Sequence, residues 1–153
     1  MLRHALFLAA LVAPLPTLAA NNVALTSEMF VERSVPQAGA KPKLVLEKPK
    51  SVPPGAQLVF VLTYVNKGKA PATSFVATNP MPNGVKFDSA EGDAMVSVDG
   101  GLTYGPLAAA KLRAPDGALR PARAEDVSHV RWSLKAPIAV AGTGKLSFRG
   151  SVK

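Results

Sequence analysis

The 153-residue chain contains no cysteine. That absence excludes disulfides, thiol catalysis, thiolate metal sites and a lipid-modified cysteine, so packing and hydrogen bonding alone must hold the fold. Aromatic residues make up only 6% of the chain, with a single Trp, so each one that is buried carries a large share of the core. Histidine is scarcer still. His4 and His129 are the only two, and the slot of His129, alternating with Val130 and Trp132, places it on the solvent face of a strand. No Gly-x-Ser-x-Gly elbow accompanies it, and its pairing with Asp126 in a Ser/His/Asp set would have to arise by chance. The ten acidic residues are dispersed, so the chain offers no metal-ligand spacing; only two carboxylates brought together from distant positions would supply a catalytic pair. These shortages argue for a protein that is not an enzyme and takes no cofactor and no metal. Beyond the first 20 residues no apolar run approaches the roughly 20 residues that cross a bilayer, which argues against a transmembrane span.

Met1–Ala20 is the strongest functional signal. Arg3 and His4 form a short basic start, Ala5–Ala13 is uninterrupted apolar sequence, and Pro14 and Pro16 break it ahead of the small residues Thr17, Ala19 and Ala20. This is the pattern of an export leader, with Thr17 and Ala19 filling the small-residue positions before the cut. Export predicts a periplasmic or extracellular protein. Removing Met1–Ala20 takes away Arg3 and lowers the formal charge from +8 to +7 on a remainder of 153 less 20, or 133, residues. That length suits one domain able to build a core without staples.

The basic balance fits either a generic solvated surface or attraction to a polyanion, and the scatter of the charges favours the first. Nucleic acid does not fit an exported chain, and the cations from Arg33 to Lys86 are scattered, with no run of five and no interleaved aromatics. The candidate basic patch is Lys111, Arg113, Arg120 and Arg123, which would suit an anionic surface ligand such as polysaccharide or a lipid head group.

Period-two alternation dominates the rest. After Pro53-Pro54-Gly55, the residues Leu58, Phe60, Leu62 and Tyr64 recur on one face of a strand. Asn66–Pro71 ends it, a second strand runs through Phe75 and Ala77, and Pro80–Gly84 stops that one. Upstream, residues 21–51 read as a polar leader over Asn21–Ser27, a weak strand over Met29–Val35 and a short strand at Leu44–Leu46. Downstream, short strands are predicted at Val85–Phe87, Met95–Val98, Leu102–Tyr104, Val130–Leu134 and Leu146–Val152. Asp99-Gly100-Gly101 reads as a hairpin turn rather than a calcium loop, because only Asp93 and Glu91 are near enough in sequence to assist Asp99. Leu107–Asp126, broken by Pro106, Pro115 and Pro121, reads as a long surface connection with at most one helical turn. Seven or eight strands with turns every 8–12 residues predict an all-β immunoglobulin-like β-sandwich, its core in 52–153 and residues 21–153 forming one domain.

Pro54-Gly55, Phe60, Leu62, Tyr64, Asn66, Gly68, Ala72, Thr78–Pro82, Trp132 and Leu146–Phe148 together resemble the conserved-repeat domain of bacterial surface and secreted proteins, known as domain of unknown function eleven. The similarity runs from about Val52 to Val152, with Asn79 standing where that family usually carries Asp. The resemblance implies an immunoglobulin-like sandwich, often repeated in adhesin-like proteins, without established activity; this chain carries one copy. The expected function is therefore a non-enzymatic structural or interaction module of the cell envelope, the alternative being a binder of an anionic surface ligand. If Leu58, Phe60 and Leu62 point inward, Val59, Val61 and Val65 point outward, and that apolar face calls for a cover. The cover is either internal, from Leu107–Asp126 or Leu44–Leu46, or a partner protein or second copy docking on the face or a sheet edge.

Overall fold

The computed structural model describes residues 22–153; Met1–Ala20, the expected export leader, lies outside that range. Ten strands occur among the described residues: β1 (Val23–Gln37), β2 (Ala40–Glu47), β3 (Gln57–Asn66), β4 (Val76–Pro80), β5 (Val85–Ala90), β6 (Met95–Ser97), β7 (Lys111–Arg113), β8 (Leu119–Pro121), β9 (His129–Ser133) and β10 (Thr143–Val152). All pair antiparallel, in a five-stranded sheet ordered β2-β1-β3-β10-β5, a three-stranded sheet β4-β9-β6 and the small ribbon β7-β8. The chain is all-β, with its two larger sheets sharing one core in the manner of a β-sandwich.

The inward face follows from the alternation. Leu58, Phe60 and Leu62 of β3 are buried with Phe148 of β10 and Phe87 of β5, and meet Ala77, Val96, Val130 and Trp132 from the three-stranded sheet. Phe148 is fully buried. Its ring stacks on Phe60 with centroids 4.5 Å apart, and lies 6.2 Å from Trp132. The one indole N–H donates to the Glu91 carbonyl at 2.9 Å, so the Trp is buried with its polar edge satisfied. Gly144 of β10 faces Tyr64, and a Cβ there would overlap the phenol ring, which explains glycine inside a strand.

Asn66 ends β3 and is also buried. Its Nδ2 donates to the carbonyls of Ala70, Ile138 and Ala139, while its Oδ1 accepts from the Gly68 N–H. One side chain thus joins the loop after β3 to the segment before β10.

Three expectations are corrected. Asn21–Ser27 is not a loose leader over its described part: β1 pairs with β3 from Val23 to Val31, and Met29 and Val31 at its inner end pack against the core beside the β3 face. Leu102–Tyr104 is not a returning strand; the loop after β6 is closed by the Asp99 side chain, with only a single bridge between Val96 and Gly105. Leu107–Asp126 is more than a connection, since it holds the β7-β8 ribbon around Pro115-Asp116-Gly117, where Gly117 takes φ +85° and Asp116 accepts from the Ala118 N–H. The helical turn expected over Ala108–Leu112 is displaced: 3-10 turns occupy Leu107–Ala109 and Ala124–Asp126, while Lys111 and Leu112 belong to β7.

Candidate functional site

β1 is divided between two partners. Its first half, Val23–Val31, pairs with β3, and its second half, Val31–Gln37, pairs with β2. Because β3 stops opposite Val31, the β1-β2 hairpin continues as a two-stranded arm, on the order of 20 Å from root to tip. Arg33–Gly39 and Lys41–Leu44 are all exposed, and so are the apolar side chains of Val35, Leu44 and Leu46, at 40%, 61% and 45%. A two-stranded hairpin is marginal in water by itself, so an arm with both faces bare is a candidate surface for something outside this chain.

The arm is amphipathic by register. Leu44 and Leu46 stand opposite Ser34 and Glu32 on one face, and Phe30 and Val59 extend that face into the body of the sheet. The other face carries Arg33, Val35, Lys43 and Val45, and beyond Lys43 the register shifts at a bulge before the tip. The two carboxylates on the apolar face are both paired, Glu28 with Lys48 at 3.4 Å and Glu32 with Arg149 at 3.4 Å. At the root, a cavity of about 440 Å³ is lined by Val31, Arg33, Lys48 and Lys50 among others, with Glu47 3.5 Å from Arg33. From Arg33 to Lys50 five cations face one carboxylate.

The outward valines of β3 are only partly open. Val59 is 3% exposed, so it is no docking residue: Phe30 and Arg149 stand beside it in register, and Arg149 is held there between Glu32 and Glu91. Val61 and Val65 are half-buried. Neither proposed internal cover lies over them. Leu44–Leu46 belongs to β2 in the same sheet, and the 107–126 segment packs at the β5 and β6 side, with Leu107 against the core.

The candidate patch Lys111, Arg113, Arg120 and Arg123 is not one surface. Lys111 and Arg113 lie on one face of the β7-β8 ribbon and Arg120 on the other. Arg120 is clamped to Asp126 by hydrogen bonds of 2.6 and 2.7 Å, Arg123 lies 3.8 Å from Glu125, and Arg113 donates to the Gly117 carbonyl. The Arg120 hydrogen bond holds the Asp126 carboxyl down at about 2, against an ordinary 3.8. A carboxyl depressed in the folded state stabilises above its unfolded pKa, and that contribution is lost as pH falls through the folded value. The native protein should therefore lose stability between about pH 4 and pH 2. Asp126→Asn should be less stable at neutral pH and show a shallower acid decline, checked by thermal melts across that window; parallel curves would show that the pair contributes nothing.

No family model, no curated protein and no solved structure matches this chain.

The acids considered for calcium have other occupations. Asp99 accepts from Ser97 Oγ, the Leu102 and Thr103 N–H groups and Thr103 Oγ1, which hold its pKa far below the usual carboxylate range. Asp93 pairs with Lys135 and Glu91 with Arg149. No group of three or more His, Asp or Glu side chains fit to hold a metal occurs among the described residues. His129 lies on the outward face of β9, as its alternation predicts, and its Nδ1 is 3.1 Å from Ser128 Oγ, while Asp126 is engaged by Arg120. Arg131, two residues on, escaped sequence reasoning: its guanidinium lies 3.4 Å from the Tyr104 ring centroid and its Nε donates to Thr78. The arm also escaped it, because Arg33 and Lys43 are ten residues apart in the chain and adjacent only once the hairpin forms.

Proposed function

We propose that the chain is an exported, non-enzymatic structural or interaction module of the bacterial cell envelope, a single immunoglobulin-like sandwich akin to the conserved-repeat domain it resembles. The observation that carries this reading is the β1-β2 arm, an ordered element whose outer part, Arg33–Gly39 and Lys41–Leu44, is exposed throughout. The leader-like Met1–Ala20 supports a periplasmic or cell-surface destination. The arm is the working part, and the sandwich is the base that orients it.

The test has two arms. Fractionation of cells producing the tagged full chain should recover it outside the cytoplasm; recovery in the cytoplasm overturns the export reading. Replacing residues 34–44 by Asn-Gly joins the paired Arg33 and Val45 through a two-residue turn. That variant should melt like the parent yet lose its retention in the envelope fraction. Unchanged retention would show that the arm is not the interaction element.

A second reading, a binder of an anionic surface ligand, is favoured by the cations gathered at the arm and its root rather than by the ribbon at Lys111–Arg123.

A further inference from the structure

Resting on the arm as the interaction element, we infer that its partner is an anionic lipid surface, on which the hairpin lies with Leu44 and Leu46 toward the acyl boundary and its cations among the phosphates. Three features lead there. First, the arm joins an exposed apolar face to a basic one in a single ordered element, the combination that seats amphipathic segments at a bilayer interface. Second, each acid on the apolar face has a cation beside it, Glu32 largely covered by Arg149 and the more exposed Glu28 next to Lys48, which lowers the repulsion that face would meet at a negative surface. Third, the balance is basic: Arg33, Lys41, Lys43, Lys48 and Lys50 stand against Glu28, Glu32 and Glu47, and Lys41, Lys43 and Lys50 are in no ion pair among the described residues, so cations near the surface add a long-range attraction that a few apolar side chains cannot.

The same charge argues against a second copy as occupant. Arm against arm would bring like charge together in a hairpin whose tip, Gln37 to Ala40, has no acid to offset it. The basic ribbon face at Lys111 and Arg113 lacks any large exposed apolar neighbour except Leu119, and it serves as the internal control.

The experiment uses protein spanning residues 22–153, which contains the complete described fold and leaves out the apolar Ala5–Ala13 run that would bind lipid by itself. Because the chain has no cysteine, Gln37→Cys gives a unique site at the arm tip for an environment-sensitive fluorophore. Binding is measured to phosphatidylcholine vesicles with and without phosphatidylglycerol, at low and high salt. The expected result is binding to the anionic vesicles alone, with a blue shift of the tip probe. Raising the salt should weaken it, and the double change Lys41→Glu, Lys43→Glu should weaken it about tenfold or more. Lys111→Glu with Arg113→Glu should leave it within about twofold, a distant pair of charges being screened. Leu44→Ser with Leu46→Ser should remove the blue shift while sparing part of the binding. Absence of binding at low salt, or equal binding by the charge-reversed arm, overturns the inference. So does binding to soluble dextran sulfate without any vesicle shift, which would assign the arm to a polysaccharide. Arm-dependent retention in cells without vesicle binding overturns the lipid assignment alone, in favour of a protein partner. Retention that ignores the arm overturns the underlying reading.

Discussion

Replacing Phe148 by Ala is expected to cost about 3–5 kcal/mol, the upper range for truncating a buried aromatic. Phe148 is 0% exposed and sits where the core is most aromatic, stacked on Phe60 and tilted against Trp132. Truncation removes the ring's own burial and leaves a void that the neighbouring strand backbones, locked in ladder hydrogen bonds on both sides of β10, cannot close. It also deletes both aromatic pairs. With so few aromatic residues in the chain, nothing nearby substitutes for them. Since a domain of this size has about 5–15 kcal/mol in total, the variant should melt roughly 15 °C lower. The near-ultraviolet circular dichroism of Trp132 should weaken at temperatures where the fold persists. A loss below about 1 kcal/mol would contradict the inward parity of β10.

Asn66→Asp is expected to be comparably severe, and its severity should depend on pH. In the native chain the amide nitrogen serves carbonyls of Ala70, Ile138 and Ala139, and the amide oxygen serves the Gly68 N–H. A carboxylate keeps the last of these and turns an oxygen toward the three carbonyls. Buried groups left without a donor cost about 1–3 kcal/mol each, and the new charge is desolvated with no cation paired to it. Desolvation and carbonyl repulsion raise the folded pKa of the new carboxyl above its unfolded value, so folding favours the protonated form. The stability gap to the parent should therefore be smallest below about pH 4 and widen as pH rises through the raised value. Chemical unfolding at acid and neutral pH checks the sign. Asn66→Ala should show a loss of about 2–3 kcal/mol without that added pH dependence.

The fold was legible where large apolar residues alternate. Leu58, Phe60 and Leu62, Val130 and Trp132, and Leu146 and Phe148 mark three central strands because burial demands size at every second position. Much less was legible in the first half of β1, where Thr26, Ser27 and Glu28 pair with β3 while remaining exposed, so burial writes no pattern there. The strands β7 and β8 are three residues each, too short for alternation to register, so the prolines around them read only as breaks in a connection. Asn66 was legible as a loop residue but not as a hub, since two of its carbonyl partners are 72 and 73 residues away. The candidate site followed the same rule. The sequence pointed to Lys111–Arg123, yet it carries no information on which acid folds back, and Asp126 removes Arg120 from that patch. Lys41, Lys43, Lys48 and Lys50 lie within ten residues of chain, but only antiparallel pairing brings Arg33 to them and shows that they border an exposed hairpin.

The order of strands also sets a timetable. β3, the middle of the five-stranded sheet, is flanked by the first strand of the described chain and by the last, so its pairing with β10 waits for Thr143–Val152. A sheet closed by contacts of such long range forms slowly, because the loop must be gathered before any ladder rewards it. A chain delivered from its N-terminus can therefore complete β4-β9-β6 by Ser133, whereas the five-stranded sheet stays open at β3 until β10 arrives, the last strand of the described chain.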